Sequence, residues 1–149
     1  MICQYCKFSN GEIFQSEFLG HLCKECSCNF LDKRSKLFLQ KLSHFNGSEN
    51  IYNHYLNKLK FTDGIKYLAE QLNCFWLIDL VASYQHELLN NSFQLWSIRL
   101  KSDKGAIIEC REDTNLPPLV TQVLEYTDFP LNNFEFYVVG GTMLLKSEY

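Results

Sequence analysis

The chain has 149 residues, of which 46% are hydrophobic and 15% aromatic, and its net charge is −3. This composition is typical of a globular protein with its own core and excludes a disordered chain. No run of residues is apolar enough to span a membrane, and the N-terminus, MICQYCKF, lacks the regions of a secretory signal. We therefore expect a cytoplasmic protein.

Charge is distributed unevenly along the chain. Residues 1–60 hold eight Lys/Arg against five Asp/Glu, whereas residues 61–149 hold six against twelve. Residues 1–60 are therefore basic and residues 61–149 acidic. The first range is suited to contact with phosphate, whereas the second would repel it.

Four cysteines near the N-terminus are spaced as zinc ligands. Cys3 and Cys6 form one C-x-x-C pair, and Cys23 and Cys26 form a second pair, with sixteen residues between the two pairs. Two residues between thiolates allow a tight turn to direct both sulfurs at one ion, at about 2.3 Å. The chain has seven cysteines, an odd number, which disfavours a disulfide framework in a reducing compartment. The spacing predicts one closed, structural Zn²⁺ site without an open position for substrate.

Other uses of these cysteines stay open. Cys28 or His21 could replace one of the four ligands, and the thiols could instead pack in a small core or form a redox pair. The second pair leads into a predicted helix with Asn29 as its N-cap. Two such pairs around a hairpin-like segment resemble a treble-clef or zinc-ribbon finger, which we place with its following helix over residues 1–45.

The predicted helix after the zinc module is basic and ends near residue 46. Its cations, with two that follow later, are candidates for contact with nucleic-acid phosphates. They are Lys33, Arg34, Lys36, Lys41, Lys58 and Lys60. Tyr52, Tyr55 and Phe61 lie near the last two and could stack on bases. The alternative is a solvated surface, since the pI of about 5.8 opposes autonomous binding of nucleic acid.

Further helices and then strands are predicted for residues 46–149, which we treat as the second domain. One predicted helix is capped by Ser48 and carries Ile51, Tyr55 and Leu59 on one side. A second begins at Thr62 or Asp63 and ends at Asn73, and a third runs roughly from Phe75 to Leu89. After residue 91 the apolar period changes from 3.6 to 2. Strands are expected at 93–100, 106–111, 119–126, 134–139 and 142–145. The pattern predicts an α+β fold with helices packed on one face of a four- or five-stranded antiparallel sheet.

Residues 42–149 contain a series of distinctive short segments. They include HFNGSEN, YNHY, TDGIKYLAE, WLID, ASYQ, FQLW, CRED, YTDFP and the closing LLKSEY. In this order they resemble a bacterial family of unknown function, whose members are small proteins often carried on phages, plasmids and other mobile elements. The resemblance supplies no catalytic residues. The cysteine-rich front is not part of the family pattern, so the zinc module is an addition.

Three sets of polar side chains are candidates for catalysis. They are Asp79 with Ser83 and His86; His44 and His54 with Glu49 or Asp63; and Glu112, Asp113 and Asp128. The first set is spaced as the solvated stripe of a helix, the second suits capping and core hydrogen bonds, and the third suits turns. No nucleotide-binding, serine-hydrolase or zinc-protease motif is present in the sequence. We therefore expect a protein that is not an enzyme.

Protein binding is the function that the sequence favours. A small aromatic-rich domain held by zinc offers a rigid contact surface, and an acidic second half suits a basic partner. RNA-guided nucleases have basic channels, so the mobile-element context implied by the resemblance suggests an inhibitor of a host defence effector of the CRISPR type, an anti-CRISPR protein. The alternatives are a nucleic-acid-binding regulator that uses the basic helix and a carboxylate-dependent enzyme.

Overall fold

The computed structural model describes the backbone of residues 13–16, 20–56 and 58–149, and within these ranges it describes side chains from residue 33 onward. The chain divides into two units, Met1–Lys41 and Leu42–Tyr149. The second unit contains most of the described side chains.

The first unit contains a pair of strands followed by a long helix. Strand β1 (Ile13–Ser16) pairs antiparallel with β2 (Gly20–Cys23), with Ile13 opposite Cys23. Helix α1 (Lys24–Ser43) follows directly. The predicted N-cap at Asn29 is therefore wrong. The segment from Lys24 to Ser43 contains neither Gly nor Pro, so nothing stops the helix from beginning at the end of β2.

No described helix is both long and apolar enough to cross a membrane.

The second unit is built from a sheet and two helices. Its helices are α2 (Asp63–Leu72) and α3 (Phe75–Tyr84). Its strands are β3 (Ile51–Asn53), β4 (Lys60–Thr62), β5 (Phe93–Leu100), β6 (Ala106–Arg111), β7 (Val120–Leu124), β8 (Phe134–Val139) and β9 (Thr142–Leu145), and a short 3-10 helix, Lys146–Glu148, follows.

The predicted α+β class is confirmed, but the sheet is larger than expected. It has seven strands in the order β3-β4-β9-β8-β5-β6-β7. The β4–β9 pair is parallel and the other pairs are antiparallel, so the sheet is mixed. The five strands predicted from period 2 are all present, with only the third shorter than expected.

The segment 48–62 forms two short strands where a helix was predicted. Ile51 and Tyr55, two residues of the supposed apolar side, are exposed, whereas Leu59 is buried. Strand β4 instead pairs with β9, and the Lys60 amide donates to the Gly141 carbonyl at 2.9 Å. The helical spacing was misleading because strands of three residues depend on pairing with distant segments.

Helix α2 begins and ends where its caps predict. The Thr62 hydroxyl accepts a hydrogen bond from the Ile65 amide at 3.4 Å. At the other end Asn73 adopts the left-handed conformation, φ 49°, and its amide donates to the Ala69 carbonyl. Helix α3 was predicted to continue to Leu89 but ends at Tyr84, and residues 85–91 form turns that lead to β5.

The core lies between one face of the sheet and helices α2 and α3. Burial alternates along β6 and β8, as expected for strands with one core-facing side. Trp96 on β5 stacks parallel to Phe136 on β8 with ring centroids 6.3 Å apart, and Tyr84 of α3 packs on Trp96. Gln94, also buried, donates to the Asn91 carbonyl and accepts from the Trp96 ring N–H at 2.9 Å.

Candidate binding surface

The predicted zinc ligands lie outside the described side chains. Cys3 and Cys6 precede the first described residue, and Cys23 and Cys26 have a described backbone only. That backbone places Cys23 at the end of β2 and Cys26 in the first turn of α1, so this pair spans a strand–helix junction. The described side chains contain no group of three or more His, Cys, Asp or Glu that could hold a metal ion. The Zn²⁺ site therefore stays a prediction, as does its possible replacement ligand, Cys28 or His21.

The candidate basic residues belong to two different units. Those on α1, Lys33, Arg34, Lys36 and Lys41, are in the first unit, and Lys58 and Lys60 are in the second. All six are exposed. Their joint role in binding nucleic acid therefore stays a prediction.

Two of the three aromatic rings proposed for base stacking are used within the protein. Tyr52 and Phe61 face each other across β3 and β4 with centroids 5.6 Å apart. The Tyr52 hydroxyl also donates to the Asp63 carboxylate at 2.9 Å. The Tyr55 ring contacts the His54 ring, with centroids 4.3 Å apart, but it is 75% exposed and lies in the loop that contains Lys58.

His54 is a buried histidine with both ring nitrogens engaged. It is 4% exposed, and its Nε2 lies 2.7 Å from Oδ1 of Asp79. Its Nδ1 accepts a hydrogen bond from the Leu56 amide at 3.3 Å. Because Nδ1 is an acceptor, Nε2 carries the proton and donates to Asp79. Neither nitrogen is left for general base catalysis, so the pair anchors the loop between β3 and β4.

The remaining residues of the first two candidate sets do not converge on this pair. Ser83, His86 and His44 are exposed, as the predicted helix stripe and turns require, and Asp79, the partner of His54, is itself half exposed. The Ser83 hydroxyl donates to the Leu80 carbonyl within α3. These contacts are local and stabilise the helix and its end.

The Asp63 side chain holds the loop before β3 through hydrogen bonds. Its carboxylate accepts hydrogen bonds from the Asn50 amide at 3.1 Å and from the Tyr52 hydroxyl. The Asn50 amide is the largest cause that lowers the pKa of Asp63 below its ordinary value, and the Tyr52 hydroxyl is the next. The carboxylate is therefore ionised at neutral pH and committed to the fold.

Glu148 is a structural residue that the sequence analysis missed. Its carboxylate accepts from the hydroxyls of Ser48 and Thr62, at 2.7 and 2.6 Å, and from the amides of Gly64 and Leu145. Three of these four donors are 84 to 100 residues away in the chain, so no local pattern identifies them. The network fastens the C-terminal 3-10 helix to the start of α2.

The third candidate set consists of loop carboxylates with separate partners. Glu112 accepts from the Asn91 side-chain amide at 2.6 Å. Asp113 accepts from the Thr114 amide, the hydrogen bond of a local turn. Asp128 is exposed. The described contacts thus support turn formation at these positions.

The two cysteines of the second unit are core residues. Cys74 and Cys110 are each no more than 1% exposed. Burial raises the pKa of each thiol to about 12, and the charge of Asp128 adds to the shift at Cys74. They are therefore protonated at neutral pH and poorly suited to redox chemistry.

An open groove of about 430 Å³ lies beside α2. Its lining residues are Phe45, Gly47, Glu49, Asp63, Lys66, Tyr67 and Glu70. Lys66 is 3.6 Å from the Glu70 carboxylate and lies over the Tyr52 ring. Since Asp63 and Lys66 already have partners within the protein, the groove offers little unpaired charge to a ligand.

A run of exposed apolar side chains lies along one edge of the described sheet. Leu116, Leu119, Val123 and Tyr126 are between 44 and 71% exposed within eleven consecutive residues. They lie on β7 and its two flanks, and β7 ends the strand order of the described sheet. We refer to residues 116–126 as the edge segment. Sequence reasoning predicted a strand here but did not place it at the edge.

The edge segment is held firmly on its inner side. Val120 is buried, and the Tyr84 hydroxyl of α3 donates to the Gln122 side-chain carbonyl at 2.6 Å. The Leu119 amide donates to the Cys110 carbonyl at 2.7 Å. A surface with fixed backbone and exposed apolar side chains is suited to contact with another macromolecule.

Comparisons with known proteins identify one family. No curated protein and no solved structure matches the chain. Residues 36–149 match the model of a family described as "Family of unknown function (DUF6876)". The match includes the whole sheet of seven strands with α2 and α3, and it confirms the resemblance of residues 42–149 to a family of unknown function. Because the match spans most of the sequence, the chain belongs to this family of unknown function, DUF6876.

Proposed function

We propose that the protein is a non-enzymatic binding protein that contacts another protein through the edge segment, residues 116–126. The observation that carries this proposal is the exposure of Leu116, Leu119, Val123 and Tyr126 along one edge of the sheet. Aromatic and aliphatic side chains that protrude from a rigid strand are typical anchors of protein interfaces.

The hydrogen bonds of the candidate catalytic residues favour binding over catalysis. His54 uses both ring nitrogens, and the carboxylate of Asp63 accepts from the Asn50 amide and the Tyr52 hydroxyl. A catalytic acid or base needs a site within reach of substrate. These groups instead stabilise loops and helix ends.

The proposal has a narrower form, in which zinc holds the N-terminal unit and the partner is a host defence nucleoprotein such as an RNA-guided nuclease. Residues 42–149 contain thirteen Asp/Glu and eight Lys/Arg. An acidic surface is complementary to a basic nucleic-acid channel and would compete with its substrate. The expected presence of the family on phages and mobile elements motivates this choice of partner.

A pull-down with two matched variants tests the proposal. Val123→Asp places a charge on the edge segment, and Ile51→Asp places one on β3, at the other end of the sheet order, where Ile51 is as exposed as Val123. Each tagged protein is incubated with bacterial lysate, and retained proteins are identified by mass spectrometry after circular dichroism has confirmed folding.

We expect the wild type and Ile51→Asp to retain the same partner and Val123→Asp to retain at least about tenfold less, because a buried charge in an apolar contact is costly. Equal retention by all three proteins, or retention of nothing by the wild type, contradicts the proposal. Inhibition of DNA cleavage by a purified RNA-guided nuclease tests the narrower form.

Nucleic-acid binding is the second candidate function, and Tyr55 favours it. This ring is exposed in the same loop as Lys58, and Lys60 follows on β4. Exposed aromatic rings beside cations suit single-stranded nucleic acid. Fluorescence anisotropy with a single-stranded oligonucleotide should show salt-dependent binding that Lys58→Glu weakens and Lys104→Glu, a change of equal charge elsewhere, does not. No binding at low salt contradicts this candidate.

A further inference from the structure

We propose that strand β7 receives an extended segment of the partner protein, which adds a strand to the sheet, and that this segment carries Lys or Arg on both sides of an apolar centre. This inference rests on the proposed function and specifies how the contact is made. Strand addition uses main-chain hydrogen bonds for affinity and side chains for specificity.

The first argument is the position of β7. It pairs with β6 along its whole length, from Val120 opposite Cys110 to Leu124 opposite Ala106. In the described part of the chain no strand lies on its other side. An edge strand presents a row of backbone N–H and C=O groups to solvent.

The second argument is that the five paired residues of β7 lack the usual protection of an edge, although Pro117, Pro118 and Glu125 flank them. Its sequence, VTQVL, contains neither a charged residue nor a proline. Natural sheets protect exposed edges with lysine, proline, inward charges or bulges, because unprotected edges pair with other strands. An unprotected edge, with Val123 half exposed on the same strand, is suited to functional pairing with a strand of another protein.

The third argument is charge, which selects the occupant. Glu112 and Asp113 precede β7, and Glu125 and Asp128 follow it, all exposed. No Lys or Arg lies between residues 112 and 128. Arg111, just before them, pairs with Glu109 and donates to the Leu116 carbonyl at 3.1 Å. Lys104, whose carbonyl accepts from the Thr127 amide, adds one positive charge near the two acids of the second group.

Acids at both ends of β7 disfavour a second copy of this chain as the occupant. An antiparallel pair of β7 strands would bring Glu125 and Asp128 of one copy beside Glu112 and Asp113 of the other at both ends. Like charges placed opposite each other destabilise strand pairing. A segment with basic residues on both sides of an apolar centre gains at both ends instead.

Selection from a displayed library of random short peptides on the immobilised full-length protein tests the proposal. We expect enriched peptides with β-branched or aromatic centres and Lys or Arg at both ends. Bound to the protein, the strongest of them should slow hydrogen exchange of amides within residues 120–124 by about tenfold or more. N-methylation of its central backbone amides should abolish binding, because it removes the main-chain donors.

Two charge-reversed variants supply the control for the basic ends. Glu125→Lys lies beside β7, and Glu87→Lys changes the net charge equally at an exposed position after α3. The selected peptide should bind Glu125→Lys about two- to fivefold more weakly than wild type and Glu87→Lys nearly as well.

Three results would overturn strand addition. They are the absence of enriched peptides, enriched peptides that leave exchange in residues 120–124 unchanged, and binding that survives N-methylation. Each can occur while the lysate partner still requires Val123, in which case binding through the edge segment stands and only its mode is rejected. Equal lysate retention by Val123→Asp is the separate result that removes the proposed function.

Discussion

His54 and Asp79 form a hydrogen-bonded pair whose geometry serves the fold. The histidine is buried, its Nε2 donates to Asp79, and its Nδ1 accepts from the backbone of the next turn. The exposure of Asp79 can be predicted from the spacing of the polar residues on its helix. Its hydrogen bond to a histidine 25 residues earlier in the chain cannot be predicted in this way, because no local spacing relates a loop residue to a helix residue.

Replacing the acceptor of this pair should lower stability. In Asp79→Ala the buried His54 N–H loses its partner, and we expect the free energy of unfolding to fall by about 1–2 kcal/mol, since hydrogen bonds to charged groups contribute more than neutral ones. Urea denaturation followed by fluorescence measures the change. Glu70→Ala, which removes an exposed carboxylate of α2 that pairs with Lys66, should change it by less than about 0.5 kcal/mol. Equal effects of the two variants would show that the pair is not an anchor.

The lowered pKa of Asp63 predicts a specific dependence of folding stability on pH. Because the Asn50 amide and the Tyr52 hydroxyl lower its pKa in the folded state below the ordinary 3.8, its contribution is fully present above pH 3.8 and is lost as the pH falls through the lowered value. Between pH 7 and pH 3 the urea midpoint of wild type should therefore fall further than that of Asp63→Asn. Parallel midpoints for the two proteins would contradict this assignment.

At the scale of secondary structure, the elements with strong local signals were predicted well. Strands β6 and β8 follow period-2 patterns, β5 and β9 lie where strands were predicted, and α2 has matching cap residues at both ends. Strands β3 and β4 have three residues each and exist because β4 pairs with β9. A pattern of three residues is too short to indicate a period, so only the partner strand reveals them.

The turn between β8 and β9 depends on glycine. Gly140 and Gly141 have φ of 56° and 77°, which disfavour any side chain. We expect Gly141→Ala to lower the free energy of unfolding by about 1 kcal/mol. Gly47→Ala is the matched control, because no atom lies within 4 Å of the position of its added Cβ and its φ is not positive. Thermal or urea denaturation compares them, and equal midpoints would refute the role of the turn.

At the scale of the molecule, we expect the two units to depend on different stabilising elements. The unit of residues 42–149 has its own core between the sheet and its helices. The unit of residues 1–41 contains the four cysteines Cys3, Cys6, Cys23 and Cys26, and a domain so small commonly needs a metal or disulfides to fold. Zinc is therefore expected to matter for the first unit and not for the second.

Metal analysis tests this division. The purified, reduced protein should contain about one zinc per chain, and Cys26→Ser should lose it, whereas Cys28→Ser should retain it. Removal of zinc by a chelator should leave the unfolding transition of residues 42–149 unchanged, because that unit has its own core. Wild-type protein without metal would refute the site, and loss of zinc in Cys28→Ser would make Cys28 a ligand in place of one of the four.

The sequence by itself determined the α+β class, the period-2 strands, the caps of α2 and the membership of a family of unknown function, because each depends on neighbouring residues or on order along the chain. Only the tertiary structure decided that β7 lies at the sheet edge, that Glu148 fastens the C-terminus to α2, and that His54 is paired. These depend on contacts between residues far apart in the chain, and they become visible only when the sheet brings those residues together.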